Sequence, residues 1–227
     1  MTRHVPGAFL VVEGPDGAGK TTLVKRLAAR LREAGLTVTE VREPGGTPLA
    51  EMARRAVLDP SLGASPLAEL FLMLAARADL VTKVIRPALA AGQVVLSDRF
   101  ELSTEAYQIA GRELPRKPVL AANRLATGGL RPDVTLVLDL PADVGLDRLA
   151  VSGRAHDRIE GAERRLHDRV ARAFAAAEGP SVVHLDATRS VEAVEQQAWD
   201  AVRRVVKELI PGEPGLKHPS GTHGGTA

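Results

Sequence analysis

One stretch limits the possible folds of this chain more than any other: "AFLVVEGPDGAGKTTL", from Ala8 to Leu23. An apolar run ends at Val12, and Gly14, Gly19, Lys20 and Thr21 then complete the pattern G-x-x-x-x-G-K-[ST]. Val24, Leu27 and Leu31 follow at helical spacing, and Gly35 closes the segment. A buried strand, a glycine loop and a helix in that order aim the loop amides and the helix N-terminus at phosphate oxygens. Gly14, Pro15, Asp16, Gly17, Ala18, Gly19, Lys20 and Thr21 are therefore the expected ATP-phosphate contacts. Lys20 is expected to reach the β- and γ-phosphates, and the Thr21 hydroxyl to ligate Mg2+.

Further strands are predicted at Thr37 to Val41, from Gln93, from Val134 and from Val182, with helical segments between them. One such segment carries Leu67, Leu70 and Leu74 and breaks before Pro87. Strands alternating with helices predict an α/β, three-layer P-loop fold: a parallel sheet of about five strands, helices on both faces, and ligands at the strands' carboxyl ends. Residues 1–210 read as one P-loop domain. The glycine- and proline-rich residues 211–227 read as a disordered tail, in which His218 and His223 lack the carboxylate or cysteine neighbours of a metal site.

Composition excludes several classes of function. A net charge of +2 with interspersed arginines, and only 3% aromatic residues, argue against a polynucleotide partner. No apolar run is long enough for a membrane span, and the first residues lack a signal-peptide pattern. The absence of cysteine rules out disulfides and thiolate chemistry, and it suits a cytoplasmic protein.

The apolar run "VVLS" ends on Asp98, the expected second Mg2+ residue, acting through water. No N-K-x-D guanine pattern or transporter-ATPase signature occurs. Downstream come "REPGGT" (Arg42 to Thr47), "DRFELSTEAYQ" (Asp98 to Gln108), "NRLATGGLRPDVTLVLD" (Asn123 to Asp139) and "DRIE" (Asp157 to Glu160). In that order, from about Phe9 to Asp186, the chain closely resembles thymidylate kinase. The resemblance implies transfer of the ATP γ-phosphoryl group to dTMP by a homodimeric P-loop kinase.

It also implies residue roles. Arg99 would hold the dTMP phosphate in line with ATP, and Asp16 would face the acceptor near its 3′-hydroxyl. Tyr107 would pack beside the sugar where a ribose 2′-hydroxyl would sit. Ser103, with or without Gln108, would contact the base edge, and Arg77 would donate to a thymine carbonyl. Four residues before that arginine the family usually has phenylalanine, whereas this chain has Met73. A thioether can still pack on the ring, and Phe71 falls near the other side of the helix.

Family members take a catalytic arginine from the phosphate loop or from a lid. Here Gly17 follows Asp16 and no cation precedes Lys20, so the lid at about 150–161 is the expected source. Arg154 is the first choice and Arg158 the second. Two other readings stay open on the residues alone: another nucleoside monophosphate kinase, suggested by Met73, and a nucleotide-binding module without turnover.

Overall fold

Apolar patterning separates the strands at the centre of the sheet from those at its edges. In the computed structural model, which describes residues 7–151, 159 and 164–211, β1 (Phe9–Glu13), β3 (Val94–Asp98) and β4 (Val134–Asp139) are almost wholly buried. β2 (Val38–Arg42) and β5 (Val182–Asp186) are more exposed and mix polar with apolar residues. All pairings are parallel, in the order β2-β3-β1-β4-β5. Continuous apolar runs are what strands buried on both faces require.

Helices cover both faces. On one, α1 (Lys20–Glu33) and α9 (Val191–Val206) pack Leu27, Leu31, Ala198 and Val202 against Leu10, Leu96 and Leu136. On the other, α2 (Pro48–Leu58), α3 (Pro66–Leu80) and α4 (Arg86–Ala90) lie towards β2 and β3, where Phe9, Val11 and Val95 meet Leu80 and Ile85. The same side carries α5 (Glu101–Thr104), α6 (Arg116–Thr127) and α8 (Arg164–Ala175), while α7 (Ala142–Val151) follows β4.

The expected strands are present, each within a residue or so of its predicted start. Pro87 does not break its helix as predicted. A π-helical turn, Val81–Ile85, joins α3 to α4, and Pro87 falls in the first turn of α4, where a missing N–H costs little. A second π-helical segment, Glu105–Gly111, continues α5 and carries Tyr107 and Gln108.

The chain leaves β1 towards β2 on one side of the sheet and leaves β3 towards β4 on the other. The carboxyl ends of β1 and β3 therefore flank a topological switch point, where open α/β sheets bind ligands. The loop 14–19 follows β1, and Asp98 ends β3 with Arg99 directly after it. No described helix is long and apolar enough to cross a membrane. Most of the predicted lid, including Arg154 and Arg158, and the tail from residue 212 lie outside the described residues.

Candidate active site

The loop after β1 is packed too tightly to carry a side chain at Gly17. That residue has φ +77°, and a Cβ there would lie 2.2 Å from the Gly145 carbonyl oxygen of α7. The contact is reciprocal: a Cβ on Gly145 would lie 2.4 Å from the Asp16 carbonyl oxygen. A basic residue in place of Gly17 would collide with α7 backbone, so in this packing the loop has no room for an arginine there. Lys20 opens α1 and is buried, with its Nζ donating to the Pro15 carbonyl at 2.7 Å. Burial, reinforced by the charge of Arg99, pulls its pKa down to about 8 against the opposing pull of Asp16, Asp98 and Glu13.

Thr21 and Asp98, the two predicted Mg2+ residues, meet at the mouth of the loop: the hydroxyl donates to Asp98 Oδ2 at 2.8 Å. Oxygens about 2.9 Å apart can occupy adjacent corners of an octahedron with metal–oxygen distances of about 2.0–2.1 Å. This all-oxygen donor pair fits Mg2+, which keeps waters and phosphates as its remaining ligands. Among the described residues no cluster of three or more acidic, histidine or cysteine side chains forms a protein-only cage.

The loop lines a cavity of about 370 Å3, and the group built on the segment after β3 lines the same cavity. Arg99 Nη2 pairs with Asp16 Oδ1 at 2.5 Å, and Nη1 donates to Ser103 Oγ and to the Gly14 carbonyl. The Tyr107 hydroxyl donates to Asp16 Oδ2 at 2.7 Å and lies 3.2 Å from Arg99 Nη2. Burial alone would raise the Asp16 pKa, but Arg99, Lys20 and the Tyr107 hydrogen bond together hold it below the ordinary carboxylate value. Burial pushes the Tyr107 phenol well above its ordinary value, so it stays a proton donor. Its ring, more buried than the half-buried residue expected of its type, packs edge-on against Phe174.

The far end of the cavity is lined by Met73, Arg77, Thr104 and Gln108. Phe71 points away and is 58% exposed, in keeping with its place on the other side of α3. Arg77 is buried, and protein acceptors surround its guanidinium. Nε donates to Glu43 Oε2, Nη1 to Thr104 Oγ1 and Asn123 Oδ1, and Nη2 to the Phe100 carbonyl, with Glu43 Oε2 2.6 Å from Nη2 as well. Donation from Arg77 to a base carbonyl therefore requires one of these bonds to be exchanged. Gln108 donates to Glu69, which also binds Arg112.

The "REPGGT" segment supplies the wall facing Arg77. Glu51 ties it together by accepting from Arg42 and the Gly46 N–H, while Thr47 caps α2 through the Ala50 N–H. The loop thereby delivers Glu43, whose Oε1 is buried without a hydrogen-bond partner. Burial raises the Glu43 pKa despite the opposing charge of Arg77. Ile159, from the "DRIE" segment, is buried and lines the cavity beside Tyr107.

Thr104, Glu13 and Glu43 contribute to the site without having been singled out in the sequence. The Ser103 hydroxyl makes two protein hydrogen bonds at the Arg99 end, whereas Thr104 sits beside Arg77 and Gln108. The four-residue spacing of Thr104 and Gln108 was the available signal. Glu13 and Glu43 were missed because nothing local marks a buried carboxylate whose partners lie 34 to 90 residues away.

A five-stranded parallel sheet bearing a phosphate loop at its switch point, with an arginine after the neighbouring strand held against that loop at the cavity wall, defines a P-loop kinase. The thymidylate kinase family model matches residues 12–198. The chain is 48% identical to a thymidylate kinase of Deinococcus radiodurans, over 86% of this chain and 96% of that one. It is 47% identical to those of Pseudomonas putida F1 and Pseudomonas fluorescens SBW25, over 91% of this chain in both cases and 96% and 99% of theirs. The chain belongs to the thymidylate kinase family.

Proposed function

We propose that the protein transfers the γ-phosphoryl group of ATP to dTMP, giving dTDP and ADP for dTTP biosynthesis. Family membership supports the substrates, and the pairing of Arg99 with Asp16 across the phosphate loop carries the mechanistic reading. ATP phosphates rest on the amides of residues 14–19 and on Lys20, which gives up the Pro15 carbonyl to reach them. The thymine lies among Met73, Arg77, Thr104 and Gln108. Arg99 holds the acceptor phosphate, Asp16 faces the sugar, and the Tyr107 ring fills the space a 2′-hydroxyl would need.

Phosphoryl transfer has a loose transition state with charge on equatorial oxygens, so positioned cations matter more than a strong base. Thr21 and Asp98 would hold Mg2+, which neutralises charge on the transferring phosphates when bound. Lys20 and Arg99 share that task from the donor and acceptor sides. Close packing at Gly17 supports a catalytic arginine from elsewhere, and we assign it to the lid at about 150–161, Arg154 first and Arg158 second. Residues 1–210 act as one domain on this reading, with the tail from 211 outside the catalytic unit.

Association as a homodimer is part of the proposal. Met52 on α2, Leu67 and Phe71 on α3 and Leu125 on α6 are exposed apolar side chains on helices that pack side by side, and they suit burial against a second copy. The place of action is the cytoplasm.

The direct test incubates the protein with γ-labelled ATP, dTMP and Mg2+. Label in dTDP supports the reading, and label confined to ATP and inorganic phosphate refutes it. Within the same assay, Arg154→Ala is expected to lower kcat far more than it weakens dTMP binding.

A further inference from the structure

Glu13 ends β1, is fully buried, and is claimed by none of the roles above. Burying a carboxylate is costly unless its oxygens are well satisfied. Here Oε1 accepts from the Phe100 N–H at 2.7 Å and the Ser103 N–H at 3.1 Å, and Oε2 accepts from Ser103 Oγ at 2.6 Å. These donors all belong to the segment that carries Arg99.

Arg99 itself has φ +79°, in the left-handed region that a non-glycine residue adopts only when its surroundings impose it. Its N–H donates to the Val12 carbonyl at 2.9 Å, and its carbonyl accepts from Ser97 Oγ at 2.7 Å. The following N–H, that of Phe100, is held by Glu13. Phe100 starts α5 without a side-chain cap of its own, so an acid from β1 supplies the missing acceptor. The side chain of Arg99 is tied to the same carboxylate: Nη1 donates to Ser103 Oγ at 3.1 Å, and that hydroxyl donates onward to Glu13.

We infer that Glu13 is a positioning residue for the acceptor phosphate. It locks the strained backbone of Arg99 through the Phe100 and Ser103 amides, and it aims the guanidinium through the Ser103 hydroxyl. The inference rests on the reading of Arg99 as the dTMP-phosphate contact. Glu13 touches no substrate, so its effect must pass through Arg99.

Calorimetric binding of dTMP and of thymidine to wild type and Glu13→Gln tests this. Thymidine lacks the phosphate and reports the rest of the pocket. The amide keeps the shape but presents N–H groups where Ser103 donates. Loss of about one charge-assisted hydrogen bond predicts roughly tenfold weaker dTMP binding. Thymidine binding and the KM for ATP should stay within about twofold. In an Arg99→Ala background, Glu13→Gln should add no further loss for dTMP.

Equal weakening of dTMP and thymidine, unchanged dTMP binding, or additive losses in the double variant would overturn the role. Should Glu13→Gln not fold, Ser103→Ala leaves the two amide bonds and removes the hydroxyl link. It should weaken dTMP selectively by about threefold, and a non-selective or absent effect overturns the role there too. Arg99→Ala binding dTMP as tightly as wild type would instead refute the underlying reading, which separates the two.

Discussion

The Tyr107 hydroxyl donates to Asp16 Oδ2 at 2.7 Å, joining the π-helical turn after β3 to the phosphate loop across 91 residues of chain. Arg99 closes the triangle from the other carboxylate oxygen. Removing the hydroxyl by Tyr107→Phe keeps the ring and loses one hydrogen bond near a charged group. Steady-state kinetics should show kcat/KM for dTMP lowered by about tenfold, corresponding to about 1.5 kcal/mol. Rejection of ribonucleotide acceptors should persist in Tyr107→Phe and relax in Tyr107→Ala.

The lowered pKa of Lys20 has a testable sign. ATP phosphates favour the ammonium form, and the free protein loses that form as pH rises through about 8. The profile of kcat/KM for ATP, which reports the free enzyme, should therefore fall on its alkaline side with an apparent pKa near 8. In Lys20→Arg, whose side chain stays charged, whatever activity remains should lack that limb.

Gly17 offers a steric prediction. Gly17→Ala must adopt positive φ and push its methyl into Gly145 backbone. Urea unfolding should show a loss of about 1–3 kcal/mol, from backbone strain and overpacking together, and ATP affinity should fall with it. Gly17→Arg should not supply a working loop arginine, and its kcat should lie below that of wild type.

At the base end, Met73→Phe restores an aromatic face where this chain has a thioether. A gain of about 0.5–1.5 kcal/mol from ring stacking would lower the Kd for dTMP by about twofold to tenfold in calorimetry. Thr104→Val, of nearly the same shape, should raise it by a similar factor, because it removes a hydroxyl that lines the cavity beside Arg77.

The opening strand, loop and helix could be read directly from the sequence because their chemistry is contiguous: apolar run, glycines, Lys20, Thr21. The central strands were legible for a related reason, since burial on both faces demands an unbroken apolar run. Pro87 misled because a helix interrupted by a π-helical turn accommodates a proline that a regular ladder would not. The site was legible where one segment carries several residues, as from Asp98 to Gln108. Glu13 and Glu43 escaped because their partners are set by tertiary packing, and spacing alone does not tell that the Ser103 hydroxyl bonds Arg99.

Selection of dTMP as the phosphoryl acceptor of this cavity is decided by a panel of acceptors. Coupled ADP release with dTMP, dUMP, dCMP, dGMP and AMP should give the highest kcat/KM for dTMP. The values for dCMP, dGMP and AMP should be lower by at least about a hundredfold, and by up to about 10^4–10^5-fold where the wrong base leaves buried polar groups of the site unpaired. Faster turnover of any other acceptor than of dTMP would contradict the account.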